Sequence, residues 1–110
     1  MKKITQSWNL TDKKEAYNMM NVVAEKMSNH VGERFQLASW AIIENTMDTG
    51  EVTYAFQCKT TEGEYLGTNS KSFLDGIWNF LAVFEPHELN TFEVGQARNK
   101  SGRPYLKFIA

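Results

Sequence analysis

Apolar and polar positions change period several times along the chain, and each change marks an element. Between Glu51 and Thr68, Val52, Tyr54, Phe56 and Cys58 alternate with Thr53, Ala55, Gln57 and Lys59. A period of two gives a strand with two different faces. Thr60-Thr61-Glu62-Gly63 turns the chain, with Gly63 able to take the positive φ of a tight hairpin, and Glu64–Thr68 returns as a shorter strand. Upstream, Arg34 to Asn45 reads as one long strand. Phe35, Leu37 and Ser39 alternate with Gln36, Ala38 and Trp40, and then Ala41-Ile42-Ile43 breaks the alternation. A buried face that changes partway predicts a bulge or a strong bend, which is what the first strand of a small closed barrel needs. Asn45–Gly50 is the connecting turn, marked by Asp-Thr-Gly.

Helical spacing occurs twice. Tyr17, Met20, Ala24 and Met27, with Val23 beside them, predict a helix over about residues 12–28. Thr11 or Asp12 starts it, Glu15 favours its positive end, and Asn29–Gly32 ends it. Met1–Leu10 is a short lead-in that Trp8 and Leu10 pin to the body. Phe73, Ile77, Phe80, Leu81 and Phe84 predict a second helix from about Lys71 to Phe84, capped by Asn69 or Ser70 and stopped by Pro86. Ser72 and Asp75 also stand at capping-box spacing and leave its start open by about two residues. Trp78 lies off the centre of that stripe. Asn90–Ala97 and Tyr105–Ile109 are the last strands, with Phe92 and Val94 facing Leu106 and Phe108.

After the first helix the order is β-β-β-α-β-β. This predicts a mainly β single domain over residues 1–110: a five-stranded OB-fold barrel with two helices in all, one of them N-terminal. An α+β sandwich with both helices over the sheet competes. The run Ala41-Ile42-Ile43 and the count of five strands favour the barrel. In an OB-fold, the face of the second and third strands and the loops after the first and fourth are the usual oligonucleotide site. Here those loops are Asn45–Gly50 and Arg98–Pro104.

Composition narrows the chemistry. The net charge of −1 neither demands nor excludes phosphate binding, so any basic patch must be local. The single cysteine, Cys58, cannot form an internal disulfide and reads as a buried thiol in a reducing compartment. His30, Cys58 and His87 show no metal-ligand spacing. No apolar run approaches the roughly 20 residues of a membrane span, and none follows Lys2-Lys3 as in a signal peptide, so the expected compartment is the cytoplasm. There is no paired-carboxylate motif, phosphate loop or nucleophile elbow. The expectation is a binding protein, with neither catalysis nor a cofactor.

Two interactions tolerate any base sequence: cations on phosphates, and aromatic rings stacked on bases at about 1–3 kcal/mol each. The candidates are Trp40, Tyr54, Tyr65 and Tyr105 for stacking, and Lys59, Lys71, Arg98, Lys100, Arg103 and Lys107 for phosphate. Arg98–Arg103 places three cations in six residues. Tyr105 shares a face with Lys107, opposite Leu106 and Phe108. Tyr54 shares its face with Phe56 and Cys58, and that face is either core or ligand-facing. Trp40, out of phase with Phe35 and Leu37, is either core filler or on the open face.

The chain also resembles the small single-stranded DNA-binding proteins of protein-primed tailed phages. The resemblance spans most of the chain: His30-Val31-Gly32, Phe56–Tyr65, Thr68-Asn69-Ser70-Lys71-Ser72-Phe73 and Arg98–Leu106. It implies an OB-fold, no catalysis, and non-specific coating of single strands during viral replication. It also implies the host cytoplasm as location, and phage DNA polymerase or other replication proteins as further partners. The central strand is poorer in arginine than that family's, which shifts the expected grip from charge toward stacking. Two rivals remain: a small phage protein–protein module that binds and inhibits a host enzyme, and an RNA-binding OB domain.

Overall fold

The computed structural model describes all residues from Met1 to Ala110. Its spine is the strand β3 (Arg34–Thr46). One edge of β3 pairs antiparallel with β4 (Val52–Thr60) from Leu37 to Thr46. The other edge is shared: β6 (Thr91–Arg98) takes Arg34–Gln36, and β1 (Lys2–Trp8) takes Trp40–Asn45. Between Leu37 and Ser39 the register with β4 slips, so one strand turns from one neighbour to the next. β5 (Tyr65–Thr68) returns along β4 through a turn in which Gly63 has φ +90°. β7 (Pro104–Ile109) returns along β6.

With the two-residue strand β2 (Glu25–Lys26), the sheet order is β2-β5-β4-β3-β6-β7, with β1 joined to β3, and the sheet curls into a half-barrel. Seven strands replace the expected five, because the lead-in is the strand β1 and Glu25–Lys26 forms the short strand β2. No ladder joins β5 to β7; β2 pairs in parallel with β5 instead. The helix α2 (Lys71–Leu81) stands against β7. Ser72 Oγ donates to the Leu106 carbonyl at 2.8 Å. Gly76 permits the close approach, since a Cβ there would fall 2.9 Å from Phe108 Cβ.

The concave face holds the main core of thirteen buried residues. Trp40, Phe56, Phe73 and Phe92 are all fully buried in it. Their rings meet edge-on or tilted, as in Phe56–Phe92 at 82° and Phe73–Phe92 at 74°, the arrangement that suits the ring quadrupole. Ser70 caps α2, its Oγ accepting from Phe73 N, and Phe73, Leu74 and Ile77 face inward. The helix ends at Leu81 rather than Phe84, which stays 45% exposed but stacks on Phe80 at 4.4 Å.

The N-terminal helix departs most from expectation. α1 runs from Lys13 to Asn21 only, capped by Asp12, whose side chain accepts from Glu15 N. The stripe expected to continue to residue 28 crosses α1, the strand β2 and a 3-10 turn at Met27–His30. β2 pairs with β5, and that tertiary pairing overrides helical propensity. Met19, not Tyr17, faces the sheet; Tyr17 is 64% exposed. Neither helix is long and apolar enough to cross a membrane.

Candidate nucleic-acid interface

Alternation along β4 sends Phe56, Cys58 and Thr60 into the core, with Tyr54 half-buried at its margin. Thr53, Ala55, Gln57 and Lys59 therefore face outward. Burial pushes the Cys58 thiol up to about 12, against a smaller opposing effect of a backbone hydrogen bond at Leu66. Cys58 is thus a packing group, not a nucleophile. Trp40 is no contact residue. It is fully buried, and its Nε1 donates to the Leu89 carbonyl at 2.9 Å. The register slip between Leu37 and Ser39 inverts the phase of the strand, so Trp40 and Ile42 face inward although they alternate with Leu37.

The outer flank of β3 and β4 is not open along its whole length. α1 lies on it, with Met19 buried against Ala41 and Ile43 and with Tyr65 packed at the edge of that cluster. Lys59 Nζ sits 5.7 Å from the Tyr65 ring centroid, a cation–π pair. The two share a cleft of about 110 Å³ with Leu10, Glu15 and Met19. Tyr65 and Lys59 are thereby brought together but are half covered.

Beyond α1 the outer face opens into a larger groove of about 530 Å³. Ala55 and Gln57 of β4 line it, with Gly67 and Thr68 of β5, Asn69 and Ser70 before α2, Lys26 of β2, and Leu106 of β7. Gln57 Oε1 is shut away from solvent there without a hydrogen-bond partner. A small cleft containing Lys2, Asn45, Thr53, Gln57 and Asn69 continues the groove. It leads to a shelf of about 400 Å³ formed by Val52, Thr53, Tyr54, Asn69, Lys71, Leu74 and Trp78. Asn69 borders all three spaces. On the shelf the Tyr54 and Trp78 rings stand at 88° with centroids 5.2 Å apart. The Tyr54 hydroxyl donates to Glu44 Oε1 at 3.1 Å. That bond, then burial and the Glu44 charge, raise the Tyr54 pKa despite the opposing charge of Lys3.

β7, whose Leu106 lines the groove, forms a hairpin with β6. Its tip is ordered by its own bonds. Arg98 Nη1 donates to the Gly102 carbonyl at 2.7 Å, and Asn99 Oδ1 accepts from Ser101 N and Arg103 N at 2.9 and 3.0 Å. Gly102 takes φ +80°, the left-handed conformation that closes this turn. Arg98, Lys100, Arg103 and Lys107 are exposed, and none pairs with a carboxylate; the ion pairs of the molecule are Lys3–Glu44 and His30 with Glu25 and Glu33. From Arg98 to Lys107 there are four cations and no acid, whereas the rest of the chain carries eight Lys/Arg against thirteen Asp/Glu. A near-neutral protein therefore has one strongly positive projection. Tyr105 is 39% exposed at its base, opposite Ala97, and Lys107 stands opposite Gly95. Small cross-strand partners leave both side chains clear of the sheet.

The structure thus sorts the ten candidates into groups. Tyr54 and Lys71 share the shelf; Arg98, Lys100, Arg103, Tyr105 and Lys107 share the hairpin; Lys59 and Tyr65 share the covered cleft; and Trp40 lies in the core. Sequence reasoning did not place Trp78 or Asn69 beside the candidate residues, whereas Gln57 was expected to face outward if the Tyr54–Phe56–Cys58 face formed the core. A signal for Trp78 was present, because Lys71, Leu74 and Trp78 fall at i, i+3 and i+7 and make a second stripe on α2. No protein-family model, no curated protein and no solved structure matches this chain.

Proposed function

We propose that this protein is a sequence-independent single-stranded DNA-binding protein that coats unpaired strands during replication. The observation that carries the reading is the acid-free hairpin Arg98–Lys107, whose four cations are all exposed, on the strand β7 whose Leu106 lines the groove over β4 and β5. The hairpin offers cations for phosphates, and the shelf of Tyr54 and Trp78 offers rings for bases, the two sequence-tolerant interactions that single-strand coating requires. The strand order β5-β4-β3-β6-β7, with α2 between the third and fourth of those strands in the chain, supports an OB-fold with one open seam. In that fold the outer face of its second and third strands, here β4 and β5, is the ligand side.

The test is a fluorescence titration with oligo(dT) at two salt concentrations. In a Trp8→Phe protein Trp78 is the reporter, since Trp40 is fully buried. Quenching that salt reverses is the expected result. Replacing Arg98, Lys100 and Arg103 together by alanine should weaken binding and flatten the salt dependence by up to about three phosphate contacts. An unchanged salt slope would remove the hairpin from the site. Poly(U) competing as well as poly(dT) would make the ligand RNA. Absence of quenching, together with capture of one specific enzyme, would replace the reading with that of an inhibitor module.

A further inference from the structure

We infer that the shelf of Tyr54, Trp78 and Lys71 seats one flipped-out nucleobase of the bound strand, with its phosphate toward Lys71. This rests on the single-strand reading above and adds a defined subsite to it, with Trp78 as the stacking residue. Two rings at 88° with centroids 5.2 Å apart form a corner. A third planar ring lying on the face of one turns its own edge to the face of the other, and both contacts are favourable for aromatic systems. The corner is held open in one geometry. The Tyr54 hydroxyl is anchored on Glu44, which is itself paired with Lys3 at 3.2 Å, and Leu74 is 2% exposed beneath.

The space of about 400 Å³ lies within the usual range for small-ligand sites and admits a base with part of its sugar. Two polar groups flank the apolar walls. Lys71 is exposed and has no carboxylate partner, and the Asn69 side chain makes no hydrogen bond within the protein. An amide can present a donor or an acceptor to any base edge, and an ammonium answers a phosphate as a point charge. An apolar side chain of a protein partner would fill the corner but leave Asn69 and Lys71 unanswered. A base in a duplex cannot enter, because the rings wall two sides.

The test uses the full chain with Trp8→Phe, which leaves Trp78 as the accessible indole, and two probes, dAMP and oligo(dT). Both should quench saturably. Trp78→Leu should lower oligo(dT) affinity roughly 5- to 150-fold, the span of one stacked base. The salt slope should stay unchanged, because the ring carries no charge, and Trp78→Phe should restore most of the affinity. Val52→Glu, at a position 44% exposed, should weaken binding in a protein that keeps its thermal midpoint, and it serves if Trp78→Leu does not fold. A folded Trp78→Leu or Val52→Glu protein that binds oligo(dT) like its parent overturns the inference. So does oligo(dT) binding that leaves Trp78 emission untouched, and in either case single-strand binding itself still stands. If the parent protein binds no oligo(dT), the wider reading fails and the subsite fails with it. The hairpin triple variant separates the two further: it should lose oligo(dT) affinity yet keep the dAMP response.

Discussion

The two faces of β3 and β4 are built from the same two strands and do opposite things. Inward, Trp40, Ile42, Phe56 and Cys58 join a core of thirteen buried residues. Outward, Ala41 and Ile43 join Met19 in a buried cluster of three edged by the partly exposed Ile4, Leu10, Met20 and Tyr65, and β4 presents Thr53, Ala55, Gln57 and Lys59. Apolar burial at roughly 25 cal/mol per Å² accumulates on the concave side, so the fold is secured there. The convex side is thinly covered, and Gln57 Oε1 lies buried on it without a partner. An unpaired buried acceptor costs about 1–3 kcal/mol. Stability is concentrated on one face, and the polar, partly covered other face is free to serve a ligand.

The contrast breaks most severely at the helix that closes the concave side. Ile77 is fully buried among the core residues. Ile77→Asp buries a carboxylate with no partner, which costs more than a domain of this size can spare. The expected outcome is loss of the cooperative thermal transition and of near-UV circular dichroism. A stable, native-like Ile77→Asp protein would mean the concave core does not hold the fold.

A paired measurement sharpens the same contrast. Phe56→Ala, on the inner face, should cost about 3–5 kcal/mol in urea unfolding. Met19→Ala, on the outer face, should cost about 2 kcal/mol, the low end for such a truncation, because only Ala41 and Ile43 are buried with it and the rest of its cluster is partly exposed. Hydrogen exchange should then show α1 opening alone in Met19→Ala while β3 and β4 keep global protection. Equal costs, or global loss of protection in both variants, would make α1 an integral part of the core.

These faces were partly legible in the sequence. The β4 alternation, the hairpin at Gly63, the stripe of α2 and the pairing of Val94 with Phe108 follow from period and turn chemistry, which are local, whereas Phe92 pairs with Phe35 of β3. Trp40 was not placed, although a bulge in β3 was expected, because one extra residue inverts every later side chain and sequence does not mark where it falls. β1 and β2 were missed because each exists only through a distant partner, β3 in one case and β5 in the other. The extent of α1 failed for the same reason. Of the candidate site, the basic hairpin was readable from its charge density. The meeting of Tyr54, Trp78 and Asn69 depends on how α2 crosses the end of β4, which no local pattern encodes.

The smallest effect concerns how the outer cover is fastened. β2 follows α1 and leads into the 3-10 turn that carries His30. There Nε2 lies 2.9 Å from Glu25 and Nδ1 lies 2.7 Å from Glu33, so the imidazole bridges β2 to the start of β3. Burial disfavours the imidazolium, but the hydrogen bonds and charges of Glu33 and Glu25 outweigh it, and the pKa is raised above 6.5. Glu62, Glu64 and Arg34 line the same cavity. A raised folded-state pKa means the bridge contributes fully below the unfolded value and is lost as pH climbs through the folded one. The thermal midpoint of the parent protein should therefore fall, relative to His30→Gln, between pH 5.5 and pH 8. Both Glu partners are more than half exposed, so solvent screening keeps the difference small. An NMR titration of His30 should show its midpoint above the ordinary imidazole range, with the β2 amides shifting in step. If the parent and His30→Gln proteins lose stability in parallel across that range, the outer cover is held by Met19 and the β2–β5 pairing alone. The two faces of the sheet would then differ in packing but not in their response to pH.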